Sequence, residues 1–175
     1  MSKERVILLR VLLGAYLYLV MKVILFKGGS IDITYLRQQF EMSWYDPAHV
    51  VMKMKQGNLI PFHEIRRTLN DMTDNGLLNL IGNIAIFLPF GVLTGWLHSQ
   101  RRLTVLAVVM QSLLLSSVLE ISQAVFSIGQ FDVDDLILNT YGGLVGCILY
   151  GLFAAILGLF TSRSAKQLTP PGQNC

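Results

Sequence analysis

Residues 103–126 read LTVLAVVMQSLLLSSVLEISQAVF. The run is as long and apolar as a helix needs to be to cross the ~30 Å hydrocarbon core of a bilayer. Even so, it carries Glu120 and Gln123 near its end. A charged side chain at the centre of a membrane helix costs about 2.5–3.5 kcal/mol on insertion scales, so such residues face a bundle interior and mark sites. Three further runs have the same character: Val6–Phe26, Leu77–Leu97 and Leu136–Phe160. The chain is 53% hydrophobic and only 14% charged, against roughly 25% charge in a soluble domain, and its mean hydropathy is +0.53. These features predict an all-α, polytopic membrane protein: a four-helix transmembrane bundle over residues 1–161, with a disordered cytoplasmic tail at 162–175.

The net charge of +3 is too small to suggest a nucleic-acid partner, and the positions of the bases are more telling. Lys3, Arg5 and Arg10 open the first run, Arg101 and Arg102 lie between the second and third, and Arg163 and Lys166 follow the fourth. The positive-inside rule places all three sites in the cytoplasm, and with them both termini. The segment from Lys27 to Gly76 and the link near Ser127–Asp134 then face outward. The first run extends beyond a signal peptide's h-region with no A-x-A-like site after it, so it is expected to be retained.

Within the outer segment, Phe62, Ile65, Leu69 and Met72 recur at helical spacing with polar residues between them. Pro61 suits a first helical turn. This predicts an extracytoplasmic amphipathic helix over Pro61–Thr73, between spans one and two, with Trp44 and Tyr45 as interfacial anchors upstream. Gly91-x-x-x-Gly95 and Gly142-x-x-x-Gly146 offer small faces for close helix approach, and Pro89 is expected to kink the second span.

At 1.5 Å per residue, the polar groups of three spans fall at one depth, in the outer third of the membrane. Asn79 and Asn83 are spaced i, i+4, Glu120 and Gln123 i, i+3, and Asp132, Asp135 and Asn139 i, i+3, i+7, so each set shares a helix face. Asp132 and Asp134 also sit where a helix start favours negative charge, and a capping role is the expectation for Asp134. The sequence thus predicts a common pocket of Asn79, Asn83, Glu120, Gln123, Asp132, Asp135 and Asn139. Arg66 and Arg67 are expected to reach over its mouth, to pair with the aspartates or with a phosphate. Glu120 and Asp135 are the candidates for a general acid or base. His49, His63 and His98 show no metal-binding spacing, Cys147 and Cys175 no CxxC, and no histidine accompanies Ser116 or Ser122 in the third span. Neither a metal, nor a cofactor, nor a serine nucleophile is expected.

Four motifs resemble the VanZ-like family of bacterial membrane proteins. Asn58-Leu59-Ile60-Pro61-Phe62 is similar to the family's N-x-x-P-F element. Asn79-Leu80-Ile81-Gly82-Asn83, continuing to Phe87-Leu88-Pro89-Phe90-Gly91, resembles its second-helix motif. Glu120-Ile121-Ser122-Gln123 resembles its third-helix motif. Phe131-Asp132-Val133-Asp134-Asp135, continuing to Asn139-Thr140-Tyr141-Gly142, resembles the opening of its last helix. The family's name comes from a teicoplanin-resistance determinant, so the resemblance implies a multi-pass protein of the bacterial cytoplasmic membrane that lowers the effect of lipoglycopeptides at the cell envelope. Many relatives carry an arginine shortly before the aspartate run, where this chain has Ser127-Ile128-Gly129-Gln130. If that arginine pairs with a carboxylate, Arg66 or Arg67 must substitute, or this branch does without it.

Three functions fit these residues. The leading one is binding or remodelling of a membrane lipid, a lipid-linked cell-wall precursor or a lipoglycopeptide in an outer-leaflet pocket. The second is an intramembrane enzyme on a lipid-linked substrate, with Glu120 or Asp135 as general acid or base. The third is a proton-coupled carrier, which the lack of an inverted repeat disfavours. Oligomeric state is left open.

Overall fold

The computed structural model describes residues 3–26, 32–98 and 104–167, with side chains as far as 158. Among these residues every regular element is a helix: α1 (Lys3–Phe26), α2 (Ile33–Tyr45), α3 (Pro47–Lys55), α4 (His63–Asp71), α5 (Asp74–His98), α6 (Thr104–Phe126) and α7 (Val133–Gln167). Of these, α1, α5, α6 and α7 are long and apolar enough to cross a membrane. Their outward faces carry Ile7, Val11, Leu114, Phe153 and other large apolar side chains, each more than half exposed. Such a surface is the normal one where the surrounding solvent is lipid, because water then drives no burial of it.

The centre of the bundle is the α5–α7 pair, which runs in the same direction. A Cβ added to Gly91 would lie 2.0 Å from the Gly143 carbonyl oxygen, one on Gly142 2.3 Å from the Ile84 oxygen, and one on Gly146 2.1 Å from the Leu88 oxygen. No side chain fits at those points, so the glycines set the helix separation, as the small-residue spacing predicts. α6 packs antiparallel against the pair. α1 closes the core through Val20, which meets Phe87, Phe90 and Leu119. The Tyr16 hydroxyl of α1 donates to the Ile86 carbonyl, just ahead of Pro89.

Three short helices, α2–α4, cover one end of the bundle. α2 and α3 start on aspartate caps: Asp32 accepts from the Tyr35 N–H at 3.0 Å and Asp46 from the Ala48 N–H at 3.1 Å, with Pro47 opening α3. α2 is tied to the last turn of α6. The Ser43 hydroxyl donates to the Val125 carbonyl at 2.7 Å, and the Tyr35 hydroxyl to the Ser127 carbonyl at 3.0 Å. A helix C-terminus leaves its final carbonyls without partners inside the helix, and α2 supplies them.

Several boundaries differ from the sequence reading. The amphipathic helix spans His63–Asp71, and Pro61 precedes it because Phe62, with a left-handed φ of 65°, turns the chain into the helix. Trp44 and Tyr45 end α2 and stand 72% and 86% exposed. α7 continues to Gln167, past the expected start of the tail at 162. Residues 168–175, Lys27, Arg101 and Arg102 lie outside the described residues, as do the side chains of Arg163 and Lys166.

Candidate functional site

The polar residues singled out by their spacing do converge at the α2–α4 end, but they divide into separate networks. The first centres on Asp135, in the first turn of α7. Its Oδ1 accepts from the side-chain amides of Asn83 and, at 3.4 Å, Asn79, both on α5. The i, i+4 spacing of the two asparagines lets one carboxylate oxygen take both, and the parallel run of α5 and α7 brings it alongside them.

The second network stitches the loop before α7 to the chain ahead of α4. Asn58 and Asp132 form an isolated parallel bridge: the Asn58 N–H donates to the Phe131 carbonyl at 2.9 Å, and the Val133 N–H to the Asn58 carbonyl at 3.0 Å. The Asn58 amide adds a bond to Asp132 Oδ1 at 2.8 Å, and the same oxygen accepts from the Asp134 N–H at 2.8 Å, so Asp132 caps α7. Burial pushes the Asp132 carboxyl above the ordinary aspartate value. The bonds from Asn58 and Asp134 pull it back, and the nearby Asp134 and Glu64 charges push it up again. Asp134 does cap a helix, but a different one from its own. Its two oxygens accept from the Phe62 and Ile65 N–H groups at the start of α4, the latter at 3.0 Å. α4 has no capping side chain of its own. A carboxylate on exposed N–H groups at a helix start is a favourable pairing.

Glu120 and Asn139 lie inside the packed bundle, each 1% exposed. Glu120 Oε2 accepts from the Asp132 N–H at 2.9 Å, which ties α6 to the α7 entry. The Asn139 amide donates to the Ser116 hydroxyl at 2.9 Å, one turn deeper. Their partners belong to the neighbouring α6 or to the entry of α7, and neither side chain is among those that line the groove beside Asn83. Gln123 is buried and donates to the Ile24 carbonyl of α1 at 3.3 Å.

The open space is a groove of about 810 Å³ between α1, α5 and the α6–α7 loop. Asn79, Asn83, Gln123, Asp132 and Asp135 line it, joined by Asn75 and Gln130, which the spacing missed because neither falls within an apolar run. Val23, Ile24, Leu78 and Ile86 add apolar surface to the same lining. At Gly129 a Cβ would meet Gln123 Oε1 at 2.4 Å, so the loop closes tightly over that amide.

Arg66 and Arg67 do not reach over the groove. Arg67 pairs with Glu64 of its own helix at 3.1 Å, an i, i+3 ion pair. Both arginines are exposed. Gln130, in the loop before the aspartate run, lines the groove. Arg67 lines a second cavity, of about 520 Å³, together with Lys55, His63 and Glu64. Among the described residues, no three His, Cys, Asp or Glu side chains are placed to hold a metal ion.

A family model described as VanZ/LLP1 matches residues 11–154, which takes in most of α1, all of α2–α6 and the part of α7 that builds the groove. The chain belongs to the VanZ/LLP1 family. Protein VanZ of Enterococcus faecium is 37% identical to it over 106 residues, which is 59% of this chain and 65% of that relative. The chain thus spans just under two thirds of the relative's length. No solved structure matches it. VanZ/LLP1 membership meets the expectation carried by the four motifs, and with four apolar helices it makes this a multi-pass membrane protein.

Proposed function

We propose that this VanZ/LLP1 protein binds, and thereby remodels, an amphiphilic molecule of the bacterial cell envelope: a membrane lipid, a lipid-linked cell-wall precursor or a lipoglycopeptide. In this reading the protein sits in the cytoplasmic membrane with the α2–α4 end outward and both termini inside, as the arginines and lysines favour. One observation carries the proposal. The groove of about 810 Å³ is lined both by apolar Val23, Ile24, Leu78 and Ile86 and by asparagines, glutamines and two aspartates. That pairing suits a molecule with a hydrocarbon part and a hydrogen-bonding head. Among the described residues, the groove lining contains two carboxylates and no lysine, arginine or histidine, so the head it favours is a hydrogen-bond donor. Holding such a molecule near the outer leaflet would lower the effect of teicoplanin-type antibiotics on the cell.

The test is complementation of a deletion strain with the wild-type gene and with Asp135→Asn, at matched membrane levels. Wild type restores the lipid and cell-wall precursor profile and the teicoplanin susceptibility of the parent, and Asp135→Asn does not. Full restoration by Asp135→Asn would overturn the proposal. A second reading, an intramembrane enzyme, is favoured by the Asp135 carboxylate, which faces the groove while two amides orient it. General acid–base chemistry needs such reach to the ligand, and Glu120 lacks it. An enzyme would make the Asp135→Asn strain accumulate a substrate that the deletion strain accumulates too.

A further inference from the structure

Resting on the groove reading above, we infer that the head group belongs to a glycolipid: sugar hydroxyls fill the groove, and an anionic group, a phosphate, sits at the end of the head farthest from the hydrocarbon chains. Two adjoining cavities offer different chemistries. The groove and the second cavity share Gln130 and Asp132 as a common wall. The groove brings together Val23, Ile24, the amides and Asp135; beyond the shared wall, the second cavity adds Lys55, His63, Glu64 and Arg67.

Each cavity selects a chemistry. Asparagine and glutamine amides both donate and accept, while carboxylates only accept. A band of Asn79, Asn83, Gln123 and Gln130 with Asp135 matches a head bearing many hydroxyls, which also donate and accept. A lone ammonium would use only the carboxylates. Beyond the wall, Lys55 and Arg67 supply cationic donors, and a guanidinium pairs well with phosphate. The existing Arg67–Glu64 pair is no obstacle. The Arg67 side chain is 64% exposed, and solvent-exposed pairs of this kind are worth only about 0–1 kcal/mol. The lining also disfavours a common class. An ordinary phospholipid carries its phosphate next to the acyl chains, in the groove, where no cationic side chain stands among the described residues; the second cavity, though it also holds Glu64 and Asp132, has Lys55 and Arg67 to offset them.

The experiment is native mass spectrometry of the full chain purified in detergent, titrated with three probes: a dihexosyl diacylglycerol, the same lipid bearing a terminal glycerol phosphate, and phosphatidylglycerol. The phosphorylated glycolipid binds about tenfold or more tightly than the plain one, the range expected of a charge-assisted contact. The plain glycolipid in turn exceeds phosphatidylglycerol. A Lys55→Gln/Arg67→Gln double variant, altered only at exposed residues, removes the advantage of the phosphate and leaves binding of the plain glycolipid unchanged. Asp135→Asn weakens both. Equal binding of the two glycolipids, or a phosphate advantage that survives the double variant, overturns the distal-phosphate assignment while the groove reading stands. Phosphatidylglycerol as the strongest ligand overturns the glycolipid class, again leaving the groove. No binding of any probe, with Asp135→Asn indistinguishable from wild type, overturns both.

Discussion

Asn83 of α5 donates its side-chain amide to Asp135 Oδ1 of α7, across the helix pair that the glycines bring together. Asn79 adds a longer bond, 3.4 Å, to the same oxygen and is itself exposed. The two asparagines are therefore unequal. Replacing one partner of a buried hydrogen bond leaves the other unsatisfied, at a cost of about 1–3 kcal/mol, whereas an exposed one turns to water. Asn83→Ala is expected to lower the unfolding temperature of the purified protein measurably more than Asn79→Ala. The reverse ranking would mean that Asp135 is not held as described.

The glycine seam predicts a steeper effect. At Gly91 and Gly142 an added Cβ meets backbone oxygens at 2.0 and 2.3 Å, with no flexible side chain to give way. Overpacking of this kind costs about 1–3 kcal/mol or more. Gly142→Ala and Gly91→Ala are expected to reduce the yield of folded protein by size-exclusion chromatography. Gly82→Ala, where nothing lies within 4 Å, is expected to behave as wild type and serves as the control.

Asp134 acts at a distance of some 70 residues along the chain, capping α4 through the N–H groups of Phe62 and Ile65. Loss of a helix cap costs about 0.5–2 kcal/mol. Asp134→Ala is expected to speed amide hydrogen exchange through residues 62–71 and to leave exchange in α2 unchanged, since α2 carries its own cap on Asp32. Uniform acceleration across α2 and α4 would assign Asp134 a general rather than a local role.

The four long helices were legible because length and hydropathy decide them, and the glycine spacings correctly marked the faces that pack. The convergence of Asn79, Asn83 and Asp135 was legible too, since each lies on one face near the same end of its helix. The placement of Glu120 and Asn139 was not. Periodicity says which face of a helix a residue occupies, but a groove and a packed interface can both demand a polar face. The local partner of Arg67 was visible in the sequence as well: Glu64 lies three residues before it, at the spacing of an ion pair on one helix face. Helices α2 and α3 escaped notice because they are short and mixed in polarity, although Asp32 and the Asp46-Pro47 pair were available as start signals.

The Asn58–Asp132 bridge and the Asp134 cap have a consequence for biogenesis. The segment joining the first two spans is thus fastened from two places: α2 to the end of the third span through Ser43 and Tyr35, and the stretch around Asn58–Ile65 to Asp132 and Asp134 at the entry of the fourth. The second fastening uses residues that leave the ribosome only after the third span, so this stretch is expected to dock later than α2.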